Sequence, residues 1–154
     1  MIQRIQTVYL FFSAAVMISL FFQPLVEMVD EAGRLYVLDL HGFRELAGEA
    51  VRHIMPVMPL SFLVGVAAAV SLATIFFYRN RIMQIRLSVF NILIQIGFYP
   101  LFFYYHYQAG KQIEAASDFR MGVILPVISI ILVFLATRGI RKDEMLVKSY
   151  ERFR

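Results

Sequence analysis

The sequence predicts an all-α integral membrane protein, a bundle of four transmembrane helices with both termini on the cytoplasmic side. Three observations carry this. The 154 residues are 60% hydrophobic and 15% aromatic, with a mean hydropathy of +0.68, whereas a soluble domain is nearer half apolar. The excess is gathered into four runs of roughly 18 or more residues nearly free of charge, the length that crosses a bilayer. The turn Arg79-Asn80-Arg81-Ile82-Met83-Gln84-Ile85-Arg86 between two of these runs is triply basic and contains no acid. Short basic loops mark the cytoplasmic side.

Taken in order, the runs make a single four-span domain with spans at residues 7–25, 54–78, 82–107 and 119–137. An outer loop covers residues 26–53, and a basic tail covers 138–154. The first run follows one Arg (Arg4), as in a signal peptide, but Gln23-Pro24-Leu25 replaces a small-x-small cleavage pattern, so a retained helix is expected.

In the outer loop, Glu31-Ala32-Gly33 separates Leu25–Val29 from Leu35–Leu40, two short runs of β-formers. The pattern predicts a hairpin with Gly33 at positive φ. Phe43, Leu46, Ala47, Ala50, Val51 and Ile54 then follow helical spacing, which predicts an interfacial helix leading into the second span. Pro56 and Pro59 fall in the first turns of that span, where a missing N–H costs least. Ser61, Gly65 and Ala69 repeat at i+4, as do Ala67 and Ser71; small residues at this spacing let helices approach closely in lipid.

In the third span Gln84, Ser88, Asn91 and Gln95 are spaced 4, 3, 4 and share one face. Amides facing lipid are costly, so this stripe is expected inside the bundle, as packing or as the lining of a path. Pro100 is expected to kink the helix, and Tyr104, Tyr105 and Tyr107 to end it at the interface, in a chain without Trp. A loop over 108–118 follows, with Gly110 ending one helix and Ser117 or Asp118 capping the next, which contains Pro126. In the tail, Leu146, Val147, Tyr150 and Phe153 form one face of an amphipathic helix. Asp143 and Glu144 open it, and Lys148, Arg152 and Arg154 close it.

With this topology the inner segments hold Arg4, Arg79, Arg81, Arg86, Arg138, Arg141, Lys142, Lys148, Arg152 and Arg154, ten of the fifteen Lys and Arg. Of the eleven acids only Asp143, Glu144 and Glu151 are inside. Sidedness therefore accounts for the net charge of +4, and a nucleic-acid partner is not expected. Arg79, Arg81, Arg86, Arg138, Arg141 and Lys142 read as a cytoplasmic anchor for anionic headgroups.

Three stretches carry a family resemblance. They are Met1-Ile2-Gln3-Arg4-Ile5-Gln6-Thr7-Val8-Tyr9-Leu10, Tyr78–Leu87 with Asn91, and the ending Ala136–Arg154. They resemble the domain of unknown function four-two-nine-three family across essentially the whole chain, although Tyr150 and Phe153 stand where Asp and Leu are more common. The resemblance implies small four-span inner-membrane proteins of Bacteroidota, and it implies no catalytic residues.

Chemistry is sparse. With no cysteine there are no disulfides, thiolate metal sites or thiol nucleophiles. His41, His53 and His106, with Asp39, Glu45 or Glu49, lack tight metal-ligand spacing and sit in different elements. They also lie near span ends, where a bis-His haem would need them deep in facing helices. No nucleophile elbow, H-E-x-x-H, P-loop or intramembrane carboxylate pair occurs. The expectation is no enzyme, no cofactor and no metal. The favoured role is an accessory or scaffold subunit of an inner-membrane assembly, with a membrane-protein partner or self-association. The alternative is a small transporter or channel-like protein using the polar stripe.

Overall fold

A computed structural model describes residues 3–47, 50–113 and 115–152. Four helices are long and apolar enough to span a membrane: α1 (Gln3–Ser19), α2 (Met58–Phe76), α3 (Arg81–Gln112) and α4 (Leu125–Arg152). A 3-10 turn, Leu20–Phe22, extends α1, and another, Met121–Val123, precedes α4. α1 packs against α2 and α4, and α3 packs against the same two. Gln6 near the start of α1 bonds to Asp143 late in α4, so both termini lie at one end of the bundle. Only about a third of each apolar stretch is buried within the chain. The rest, including Phe62, Phe76, Leu93 and Phe134, is outward-facing apolar surface of the extent that lipid covers.

The fold is not all-α. At the end opposite the termini sits a five-stranded antiparallel sheet in the order β4-β3-β2-β1-β5, with β1 Val26–Asp30, β2 Leu35–Asp39, β3 Gly42–Ala47, β4 Ala50–Met55 and β5 Ala115–Phe119. The hairpin read from Gly33 is β1–β2, with Val26 opposite Leu38 and Val29 opposite Leu35. Gly33 has φ +75°, and its N–H donates to the Asp30 carbonyl at 2.8 Å.

The interfacial helix expected over 43–54 is instead β3 and β4, paired from Phe43↔Met55 to Ala47↔Ala50. The apolar spacing there does not alternate, but Phe43, Val51 and Ile54 are aromatic or β-branched side chains that favour the strand. Pairing β3 on β2 also satisfies a row of β2 backbone groups that a helix would have left open. The loop expected over 108–118 is largely ordered structure as well. α3 continues through Gly110 to Gln112, and Ser117 and Asp118 lie in β5, paired with Met28 and Glu27 rather than capping a helix.

Helix limits also move. α2 begins at Met58, which leaves Pro56 outside it. α3 runs unbroken through Pro100, and its 32 residues extend about 48 Å. That exceeds a hydrocarbon core of about 30 Å. Its last turns therefore support the sheet, with Phe102 and Ala109 buried against it. Pro126 is the second residue of α4, not an interior kink. The tail is a direct continuation of α4, so Asp143 and Glu144 lie mid-helix and open nothing. The side chains of Val147, Lys148, Tyr150, Arg152, Phe153 and Arg154 lie outside the described residues.

One core joins sheet and helices. Val26, Met28, Tyr36, Leu38 and Phe43 from the sheet pack with Met17, Leu20, Leu60, Val64, Phe98 and Phe102 from the helix ends. Two connections lock this joint. Arg120 N–H donates to the Leu25 carbonyl at 3.0 Å, and a Cβ on Gly122 would sit 2.5 Å from the Pro24 carbonyl oxygen. The Arg120 guanidinium pairs with the Glu27 carboxylate, which raises the arginine pKa further.

Candidate functional site

The spacing of Gln84, Ser88, Asn91 and Gln95 places all four on the face of α3 that turns into the bundle, and all four are buried. Each other helix contributes a small polar side chain at the same level: Ser13 from α1, Ser71 from α2 and Ser129 from α4, all with no exposed surface. Asn91 Nδ2 donates to Ser71 Oγ at 2.6 Å. Ser71 Oγ lies 3.2 Å from Ser13 Oγ, which lies 2.8 Å from Ser129 Oγ. Ser129 Oγ also reaches the Ser13 carbonyl at 3.3 Å. One direction of donation satisfies every hydroxyl: Asn91 to Ser71, Ser71 to Ser13, Ser13 to Ser129, and Ser129 to the Ser13 carbonyl. The chain of bonds thus crosses all four helices and ends on backbone.

Below this layer, toward the termini, Gln84 Nε2 donates to the Thr74 carbonyl at 3.2 Å. Gln6 Nε2 donates to Asp143 Oδ2 at 2.6 Å, and Arg81 Nη1 donates to the Asp143 carbonyl at 3.1 Å. These contacts tie the start of α1 and of α3 to the extended part of α4. A Cβ on Gly139 would come within 3.1 Å of the Gln6 side chain, so the approach there is close.

The layer also has unmet capacity. Ser88 Oγ, Asn91 Oδ1 and both amide atoms of Gln95 are buried without a hydrogen-bond partner among the described residues. Buried polar atoms are nearly always paired, so this cluster is where the interior carries polar capacity beyond what its own packing uses. The groups in the layer are hydroxyls and carboxamides, which donate and accept but do not titrate near neutrality.

The other residues singled out in the sequence separate into distinct places. Arg79, Arg86, Arg138, Arg141 and Lys142 are exposed at the terminus-bearing end, and Arg81 is partly buried by its contact with α4. The two small-residue rows of α2 point in different directions. Ala67 and Ser71 are buried within the bundle. Ser61, Gly65 and Ala69 run along its flank, where Ser61 donates to the Leu40 carbonyl, a Cβ on Gly65 would meet nothing within 4 Å, and Ala69 is exposed.

The histidines do not converge. His41 Nδ1 lies 3.8 Å from Asp39 Oδ1, but that carboxylate already accepts the His41 and Gly42 N–H groups and pairs with Arg44. His53 is exposed in β4, opposite Arg44, and His106 packs against the rings of Phe102 and Phe119. Among the described residues no three of His, Asp and Glu are grouped to hold a metal ion. The side chain of Glu49 lies outside them.

Sequence reasoning missed Ser13, Ser129, Gln6 and Asp143. The available signal was one small polar residue near the middle of each apolar run; the Gln6–Asp143 bond joins positions 137 apart and left no local trace.

A model of one protein family, described as a domain of unknown function (DUF4293), matches residues 2–153. No curated protein matches the chain.

Proposed function

The chain belongs to the DUF4293 family, a domain of unknown function, and from that premise we propose a non-enzymatic role for this multi-pass membrane protein, as an accessory or scaffold subunit that binds another membrane protein or a second copy of itself. One observation carries the reading. The row Ser61, Gly65 and Ala69 has the small-residue spacing of a helix contact, yet Ala69 is exposed and a Cβ on the half-buried Gly65 would meet nothing within 4 Å. Phe62 and Phe76 of the same helix are 75% and 78% exposed, large apolar side chains that the chain's own packing leaves uncovered. In lipid such a surface gains from close backbone approach and van der Waals packing. The polar layer then serves as an internal clasp whose hydrogen bonds hold the four helices in register.

The proposed location is an inner membrane with both termini in the cytoplasm. Support comes from the gathering of Arg79, Arg81, Arg86, Arg138, Arg141 and Lys142 at the terminus-bearing end, where they meet anionic headgroups. The sheet then faces the opposite compartment.

Affinity purification of the full chain from native membranes in mild detergent tests the reading. A stoichiometric partner or a defined oligomer is expected, and Gly65→Leu should release it while leaving the bundle folded. Retention of the same assembly by that variant would contradict the proposal.

A transport role is a second reading, favoured by the unpartnered amide of Gln95 and Oδ1 of Asn91. Against it, both side chains have no exposed surface, and Asn91 is engaged by Ser71. Between Arg86 and Lys111 the helix that carries them holds no charged residue to couple an ion or proton.

A further inference from the structure

Between α3 and α4, at the terminus-bearing end, lies a groove with a cavity volume of about 690 Å³. Its part nearer the middle of the bundle is apolar, lined by Val89 and Ile92 of α3 and Phe134 of α4. Its rim is basic, with Arg138, Arg141 and Lys142 all exposed and on the same face of α4 as Phe134. Among the described residues no acidic residue lines it. Among the described residues, none of the three cations makes an ion pair or a side-chain hydrogen bond, because Asp143 points to the other side of α4 and is held by Gln6.

The level of the rim is set by the sequence. From Met121 to Thr137 the chain carries no charge, and Arg138 is the first. That stretch rises roughly 25 Å, close to the thickness of a hydrocarbon core. Arg138, Arg141 and Lys142 therefore stand at the height of lipid phosphates, while Val89, Ile92 and Phe134 stand at the height of acyl chains.

We propose that this groove is a binding site for one anionic phospholipid, with an acyl chain against Val89, Ile92 and Phe134 and the phosphate among Arg138, Arg141 and Lys142. The occupant is specified twice. An apolar floor opening sideways to lipid suits a chain rather than a soluble anion. Three cations that no described acidic side chain pairs with select a negative headgroup over a zwitterionic one. The site lies on α3 and α4, away from the small-residue row of α2, and does not depend on a partner there.

Native mass spectrometry of the full chain in neutral detergent, titrated with phosphatidylglycerol or phosphatidylcholine, tests the site. One phosphatidylglycerol per chain should be retained, about 10-fold more strongly than phosphatidylcholine. Arg138→Gln/Lys142→Gln should weaken that retention by about 10-fold. Arg52→Gln/Lys111→Gln removes equal charge from exposed positions outside the groove and the basic anchor and should change it little. Val89→Trp fills the floor without altering charge and should also expel the lipid. Equal retention of the two lipids overturns the proposal. So does wild-type retention by the Arg138/Lys142 or Val89 variants, or an equal loss in the Arg52/Lys111 control. The comparison of lipids on the unmodified chain decides the matter even where a variant fails to fold.

Discussion

The two ends of the bundle are held by different forces. At the sheet end, large apolar side chains from strands and helices merge into one core: Leu38, Phe43 and Tyr36 against Leu20, Leu60 and Phe102. At the terminus-bearing end the apolar cluster shrinks to Leu10, Val133 and Ala136, and hydrogen bonds take over. They run from Asn91 through three serines, and from Gln6 to Asp143. The difference follows from the solvent. In the proposed membrane arrangement the sheet stands in water, where burying apolar area drives packing. Within lipid the surroundings are as apolar as leucine, so helices gain little from apolar burial and rely on close packing and polar contacts.

The largest effect that would sharpen this contrast is expected at the sheet end. Phe43 has no exposed surface and stacks on Tyr36 with ring centroids 5.9 Å apart. Phe43→Ala should destabilise the purified protein by about 3–5 kcal/mol in thermal or denaturant unfolding, through lost transfer energy and the cavity left behind. A loss below about 1 kcal/mol would mean that the sheet core is not the stronger of the two.

Smaller effects of opposite sign are expected within the polar layer. Asn91→Leu removes the bond to Ser71 and should cost about 0.6–2 kcal/mol. Gln95→Leu removes two buried polar atoms without hydrogen-bond partners among the described residues, so it should cost nothing and gain up to about 1 kcal/mol. The same unfolding assay in detergent separates the two. If Gln95→Leu destabilises as much as Asn91→Leu, Gln95 has a structural partner outside this chain. If it abolishes a cellular phenotype while the fold is kept, the path reading gains over the clasp.

Much of the bundle was legible because lipid imposes a long, unambiguous apolar signal. The stripe of α3 could be read for the same reason, since amides in such a run have few places to go. The β1–β2 hairpin was legible because Gly33 marks a turn that requires positive φ. Outside the bilayer the signals weaken. The run from Phe43 to Ile54 matches helical spacing by composition, but the open edge of β2 decided its structure, and that edge is a tertiary fact. The β5 segment Ala-Ala-Ser-Asp-Phe has little strand preference, and pairing with β1 imposes it. Helix ends moved because the sheet, and not the bilayer, sets where α3 stops. In the polar layer only the α3 side was clear. A lone serine in an apolar run has many uses, and only the fold shows that Ser13, Ser71 and Ser129 meet.

The contrast leaves the outward row of α2 as the surface that the chain's own packing does not explain. The chain contains no cysteine, so a single introduced thiol reports its surroundings cleanly. Gly65→Cys in native membranes, treated with a bifunctional maleimide, should give a discrete cross-linked species, either a dimer or a complex with one partner. Leu93→Cys on the lipid-facing side of α3, 61% exposed, should give none. No product at Gly65, or equal products at Gly65 and Leu93, would contradict an association surface on α2.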